Sequence, residues 1–178
     1  MKFISADLIY SGGEFRRDHV VLVDGQGRVS RVVHRRTLAQ EREETASDLH
    51  HLPECAVLPG CVNSHSHSFQ VLLRGRADQA RDFEDWVDSH LYPLALAIDE
   101  EGIYSAALLA FHQMLLAGTT TVGEFFYLQN DARGRSTGNA NSRAVIRAAR
   151  EVGLRIALLR TFYDQGVKPG QARFKETA

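Results

Sequence analysis

Over the first part of the chain, Lys2 to about Val33, apolar residues come in short runs separated by turn residues. The runs His19-Val20-Val21-Leu22-Val23 and Val29-Ser30-Arg31-Val32-Val33 flank Asp24-Gly25-Gln26-Gly27. Asp-Gly between β-branched runs predicts a hairpin. Residues 35–51 are polar and charged without a clean period, which predicts a surface connection or frayed helix that includes His50 and His51. Apolar character returns at Cys55. Cys55-Ala56-Val57-Leu58, Pro59-Gly60 and Cys61-Val62-Asn63 together predict a buried strand that runs into the polar cluster Ser64-His65-Ser66-His67, with Cys61 as a small buried thiol. From Gly75 to Pro93 the pattern is polar with scattered aromatics, Phe83, Trp86 and Tyr92, as in a long lid-like loop with short helical turns.

Beyond that loop the helical period is clear. Ile103, Ala106, Ala107, Ala110, Phe111, Met114 and Leu115 recur at helical spacing, Asp99 supplies an N-cap, and Gly118 stands where the helix should stop. Thr119 to Phe126 reads as a strand that ends in Tyr127 to Asp131, Ala140 to Val152 as a second helix closed by Gly153, and Arg155 to Tyr163 as a third strand. His112 falls within the first helix and is expected there as an ordinary helix residue. Strand, helix, strand, helix, strand with near-continuous apolar strands predicts parallel βαβ units of an α/β fold.

Composition narrows the function classes. Lys and Arg total 21 against 22 Asp and Glu in 178 residues, a formal net charge of −1, so no electrostatic excess favours nucleic acid or an anionic membrane. The longest apolar region, Tyr104 to Leu116, contains His112 and Gln113 and falls short of the ~20 residues needed to span a bilayer. Asp7 interrupts the first apolar stretch, unlike a secretory signal, and two cysteines outside any CxxC motif fit a reducing, cytoplasmic setting.

The chemistry concentrates at His65 and His67. Side chains two apart on a strand point the same way, so both imidazoles can project from one strand end and share a metal ion. In parallel α/β architectures the carboxyl ends of the strands build the active site. Two histidines do not complete a catalytic zinc site, which generally uses three protein ligands and water.

The run Val57-Leu58-Pro59-Gly60-Cys61-Val62-Asn63-Ser64-His65-Ser66-His67 resembles the first barrel strand of the amidohydrolase superfamily, and the N-terminal hairpins resemble the small β-sandwich that precedes the barrel there. Leu72-Leu73-Arg74-Gly75 with Ala77-Asp78 and Trp86 is similar to the chlorohydrolase and guanine deaminase-like aminohydrolase branch. His65-Ser66-His67-Ser68-Phe69-Gln70 and Glu124-Phe125-Phe126-Tyr127-Leu128 resemble formimidoylglutamate deiminase at two strand ends at once. Deiminases of that type usually carry a histidine in the segment where Phe126 stands here.

The resemblance implies a β-sandwich arm with its connection over 1–55, and over 56–178 the first three βα units of a (β/α)8 TIM-type barrel. It implies one divalent metal, usually zinc, held in part by His65 and His67, whose bound water becomes a hydroxide near neutral pH. The substrate would be a small amidine or, in the other branch, a purine, pyrimidine or triazine ring amine, with ammonia leaving. Gln70, Tyr127 and Trp86 are then substrate-binding candidates, and Arg74 and Arg76 could attract an acidic substrate; Glu124 could orient a loop or take part in the site, with a structural strand-end carboxylate as the expected reading. A (β/α)8 barrel needs ~250 residues, and the family's remaining ligands, two histidines and an aspartate, come from later strands. No histidine follows Gly153 and the only aspartate there is Asp164, so the catalytic residues are expected beyond Ala178. A reading of another class follows: a truncated, catalytically silent chain whose open barrel edge pairs with another copy or with a missing C-terminal portion.

Overall fold

The computed structural model describes residues 1–41, 49–161 and 163. The chain divides into two compact units, Met1–Pro59 and Gly60–Ala178. The break falls after Pro59, a few residues later than the sequence pattern suggested.

In the first unit, β1 (Lys2–Ser11), β2 (Glu14–Arg16), β3 (His19–Val23), β4 (Val29–His34) and β5 (Leu49–Val57) form one five-stranded sheet, with α1 (Arg35–Glu41) following β4. The expected hairpin is β3 and β4, antiparallel. Its turn is organised by Asp24, whose carboxylate accepts from the backbone N–H of Gln26 (2.8 Å) and Arg28 (2.9 Å). Gly27 takes the left-handed conformation (φ 77°) that the turn requires. Phe3, Val20, Leu22 and Leu38 make the buried core of the unit.

The single strand expected across Cys55 to Asn63 is in fact two. Residues through Val57 belong to β5, which pairs in parallel with β1, and a new strand opens at Cys61 in the second unit. Neither strand is buried among the described residues, and Cys61 is exposed rather than a core thiol. Continuity of apolar residues across Leu58-Pro59-Gly60 hid the break. His50 and His51 are likewise not in a connection: they lie in β5 opposite Ile4 and Ser5, with 2.9 Å between His51 Nδ1 and Ser5 Oγ.

The second unit is a three-stranded parallel sheet of order β6 (Cys61–Ser66), β7 (Thr119–Phe126), β8 (Arg155–Arg160). The third strand ends at Arg160, short of the expected Tyr163. Helix α4 (Glu100–Leu116) begins at Asp99, whose side chain accepts from Gly102 N–H at 2.8 Å, and stops before Gly118 (φ 84°). Helix α5 (Ala140–Val152) is closed by Gly153 in the left-handed region. Both helices thus match their sequence signals. Between β6 and α4 the chain makes a 3₁₀ turn (Ser68–Leu73), then α2 (Phe83–Trp86), a π-type turn (Val87–Leu91) and α3 (Tyr92–Ala97). The expected loop is therefore largely a continuous helical segment from Phe83 to Ala97.

The core of this unit packs Ile103, Ala106, Ala107 and Phe111 of α4 and Ala144, Val145, Ala148 and Ala149 of α5 with Val122 and Phe126 of β7. Exposure alternates along β7, with Val122, Glu124 and Phe126 buried. Among the described residues no helix is long and apolar enough to cross a membrane.

Candidate metal centre

Pairing of β6 with β7 places the histidines. Their register slips between Asn63 and Ser66, where β6 carries one residue more than β7. A bulge of this kind re-aims side chains at the end of a strand. It is accommodated at Gly123, where an added Cβ would come within 2.7 Å of the Ser64 carbonyl oxygen.

Past the bulge, His65 Nε2 and His67 Nε2 approach to 3.2 Å, with the rings edge to face. Two imidazole nitrogens bound about 2.0–2.1 Å from one tetrahedral zinc stand about 3.3 Å apart, so the donor pair fits that ion. His67 is also held from its far side: Nδ1 donates to the Phe125 carbonyl at 2.6 Å. That bond selects the Nδ1–H tautomer and leaves the Nε2 lone pair facing His65. Burial lowers the pKa of His67, the bond to Phe125 opposes this, and the neighbouring His65 lowers it further, which keeps the ring neutral as a ligand must be. The His65 ring lies on Phe125, centroids 4.5 Å apart. Among the described residues no three His, Cys, Asp or Glu side chains gather to hold a metal. Asp164 lies outside the described residues.

Gln70, one turn beyond His67, donates from Nε2 to the Tyr127 hydroxyl at 2.7 Å. Tyr127 is buried, and its pKa is raised chiefly by that burial. A cavity of about 510 Å³ brings His67, Gln70, Trp86 and Tyr127 together, with Tyr92 and Tyr163 completing an aromatic wall. Trp86, stacked on Phe83, both lines this cavity and packs against the core. His65 is not among the lining residues. Arg74 lines a neighbouring cavity and donates to Gln113 at 2.9 Å.

Glu124 is fully buried, and its Oε1 accepts from the backbone N–H of Ser68 (2.6 Å) and from Ser68 Oγ (2.7 Å). Burial raises its pKa, against the lowering effect of those bonds. Phe126 sits in the apolar core and does not line this cavity. His112 is exposed on α4. The Phe125 carbonyl and Ser68 escaped sequence reasoning because their roles depend on strand register and the backbone. Tyr163, expected only as a strand residue, emerges as cavity lining.

A sequence model described as the amidohydrolase family matches residues 56–177. The chain is 36% identical over 130 residues to formimidoylglutamate deiminase of Pseudomonas aeruginosa, covering 67% of this chain and 29% of that protein. It is 30% identical over 122 residues to 5'-deoxyadenosine deaminase of Methanosarcina barkeri, covering 68% and 26% respectively. Among solved structures it resembles a zinc-bound adenosine deaminase from Xanthomonas campestris, with TM-score 0.73, 25% identity, and 94% of this chain and 35% of that one covered. The chain spans less than a third of the length of these curated relatives.

Proposed function

The chain belongs to the amidohydrolase family, and from that premise we propose that it carries two ligands, His65 and His67, of a divalent metal, zinc, in a hydrolase of non-peptide carbon–nitrogen bonds. In that reading Gly60–Ala178 supplies the first three βα units of a (β/α)8 barrel and Met1–Pro59 part of a β-sandwich arm. The remaining ligands and the proton-transfer residues are assigned to the part of such an enzyme outside these 178 residues.

The observation that carries the reading is the 3.2 Å approach of the two Nε2 atoms beside a tautomer fixed by the Phe125 carbonyl. Bound zinc would supply Lewis acidity and the activation of water near neutral pH. The chain's own residues do the rest of the local work. His65 and His67 offer their Nε2 nitrogens, the Gln70 amide can both donate to and accept from a substrate, and Tyr127 orients that amide. Trp86, Tyr92, Tyr127 and Tyr163 give the cavity an aromatic wall against which a planar substrate group can pack. In the net reaction water adds to the amidine carbon, the carbon–nitrogen bond breaks, and ammonia leaves with a carbonyl left behind.

Two substrate classes follow. Likeness to formimidoylglutamate deiminase favours a formimidoyl amidine. The aromatic wall of Phe83, Trp86, Tyr92, Tyr127 and Tyr163 favours a planar ring amine, as does the likeness to 5'-deoxyadenosine deaminase. Elemental analysis of the purified chain should give zinc that falls at least tenfold in both His65→Ala and His67→Ala. Retention of zinc by both variants would remove the metal assignment. Ammonia release from N-formimidoyl-glutamate against 5'-deoxyadenosine, measured on the zinc-loaded protein, separates the substrate classes.

A further inference from the structure

Four hydrogen bonds join the end of β7 to the turn after β6: two from Ser68, N–H and Oγ, to the Glu124 carboxylate, one from His67 to the Phe125 carbonyl, and one from Gln70 to the Tyr127 hydroxyl. The Glu124 grip is the anomalous one. A buried carboxylate is costly unless it is paired with a cation or richly hydrogen-bonded. Glu124 is fully buried beside Val122 and Phe126 on the face of β7 that meets the apolar core, and among the described residues its Oε2 has no partner within hydrogen-bonding geometry, the Ser66 side chain being a further group that lowers its pKa. An apolar side chain would satisfy that core better.

What the carboxylate provides is local. Ser68 opens a 3₁₀ helix, and its N–H is one of the donors that a helix start leaves without an internal acceptor. Such a donor is ordinarily served by a Ser, Thr, Asp or Asn at the N-cap. Here the N-cap is His67, which makes no capping hydrogen bond with its side chain. Its imidazole is engaged instead with Phe125 and His65. Glu124 caps the turn from the neighbouring strand, so the cap position can be occupied by a histidine.

We propose that Glu124 is a positioning residue of the metal centre: by capping Ser68 from across the sheet it fixes the turn that aims His67. The role rests on the assignment of His67 as a ligand, yet its geometric part is open to test without metal. Nitrogen-15 NMR of the metal-free chain reads the His67 tautomer. Wild type should show the Nδ1–H form alone, Glu124→Ala a mixture of both tautomers, and Glu124→Gln, whose amide oxygen still accepts from Ser68, the wild-type pattern. Zinc affinity measured by competition with a chelating dye should fall about 10–100-fold in Glu124→Ala and be largely restored in Glu124→Gln. A fixed wild-type tautomer in Glu124→Ala overturns the proposal, as does loss in Glu124→Gln equal to that in Glu124→Ala. Should Glu124→Ala fail to fold, Glu124→Met answers the same question with the core kept filled and the acceptor for the Ser68 N–H removed: a folded variant with mixed tautomers supports the proposal, and one with an unchanged tautomer and unchanged zinc affinity overturns it. If wild type binds no zinc, the metal assignment falls while the tautomer result still decides whether Glu124 positions His67.

Discussion

Gly123→Ala probes the close backbone approach behind the candidate metal centre. A Cβ at Gly123 would stand 2.7 Å from the Ser64 carbonyl oxygen and 3.2 Å from its carbonyl carbon. Ordinary contact begins near 3.4 Å, so the strands must part by about 0.7 Å. The neighbour is backbone and cannot swing aside as a flexible side chain could. Overpacking of this kind costs about 1–3 kcal/mol, which for a unit of this size lowers Tm by roughly 3–12 °C. The displaced residue adjoins His65, and functional side chains must be held within about 0.5 Å, so zinc affinity should drop about tenfold along with the stability. Thermal unfolding by circular dichroism and dye competition for zinc measure the two effects. Gly25→Ala is the control: nothing lies within 4 Å of the place its Cβ would occupy and its φ is not left-handed, so its Tm should stay close to wild type. A Gly123→Ala chain that melts within about 1 °C of wild type and binds zinc equally would refute the reasoning.

Other perturbations test the framework. Asp99→Ala removes the cap of α4 and should cost about 1 kcal/mol in urea unfolding. Phe111→Ala empties a fully buried position between helix and sheet and should cost about 3–5 kcal/mol, read by urea unfolding. Gly153→Ala places a side chain at φ 78° and should destabilise by about 1–2 kcal/mol, again read by urea unfolding. Asp85 is held well below the usual carboxylate range by hydrogen bonds from Ser89 and from the backbone and side chain of Arg81. A lowered folded value stabilises above the unfolded one, so the start of α2 should stay protected against amide exchange from neutral pH to about pH 4 and fray only on further acidification.

Periodicity made much of the fold legible. The caps and apolar stripes of α4 and α5 and the Asp24-Gly25 hairpin are local signals, and the structure places them where the sequence did. The two-strand division at Pro59 was not legible, because apolar character runs unbroken from Cys55 to Val62 while the partners of the two halves, β1 and β7, lie far apart in sequence. The pairing of His65 with His67 could be read from their spacing, although the bulge means that simple alternation was only part of the reason. The anchors of the site were out of reach. A backbone carbonyl has no signature in sequence, and Glu124, expected as a structural strand-end carboxylate, acquires Ser68 as its partner only through strand register.

The bonds that hold His67, Ser68 and Gln70 reach across 56 to 58 positions of sequence. None of them can exist in an unfolded chain, where closing such a loop carries an entropic cost without reward. The order of events in biogenesis follows: helix α4 must form and dock and β7 must add beside β6 before the imidazoles acquire their aim. An ion can reward that assembly once complete, by mass action on the native state, but it cannot template it. Supplying excess zinc during refolding should therefore leave the folding rate unchanged and slow only the unfolding.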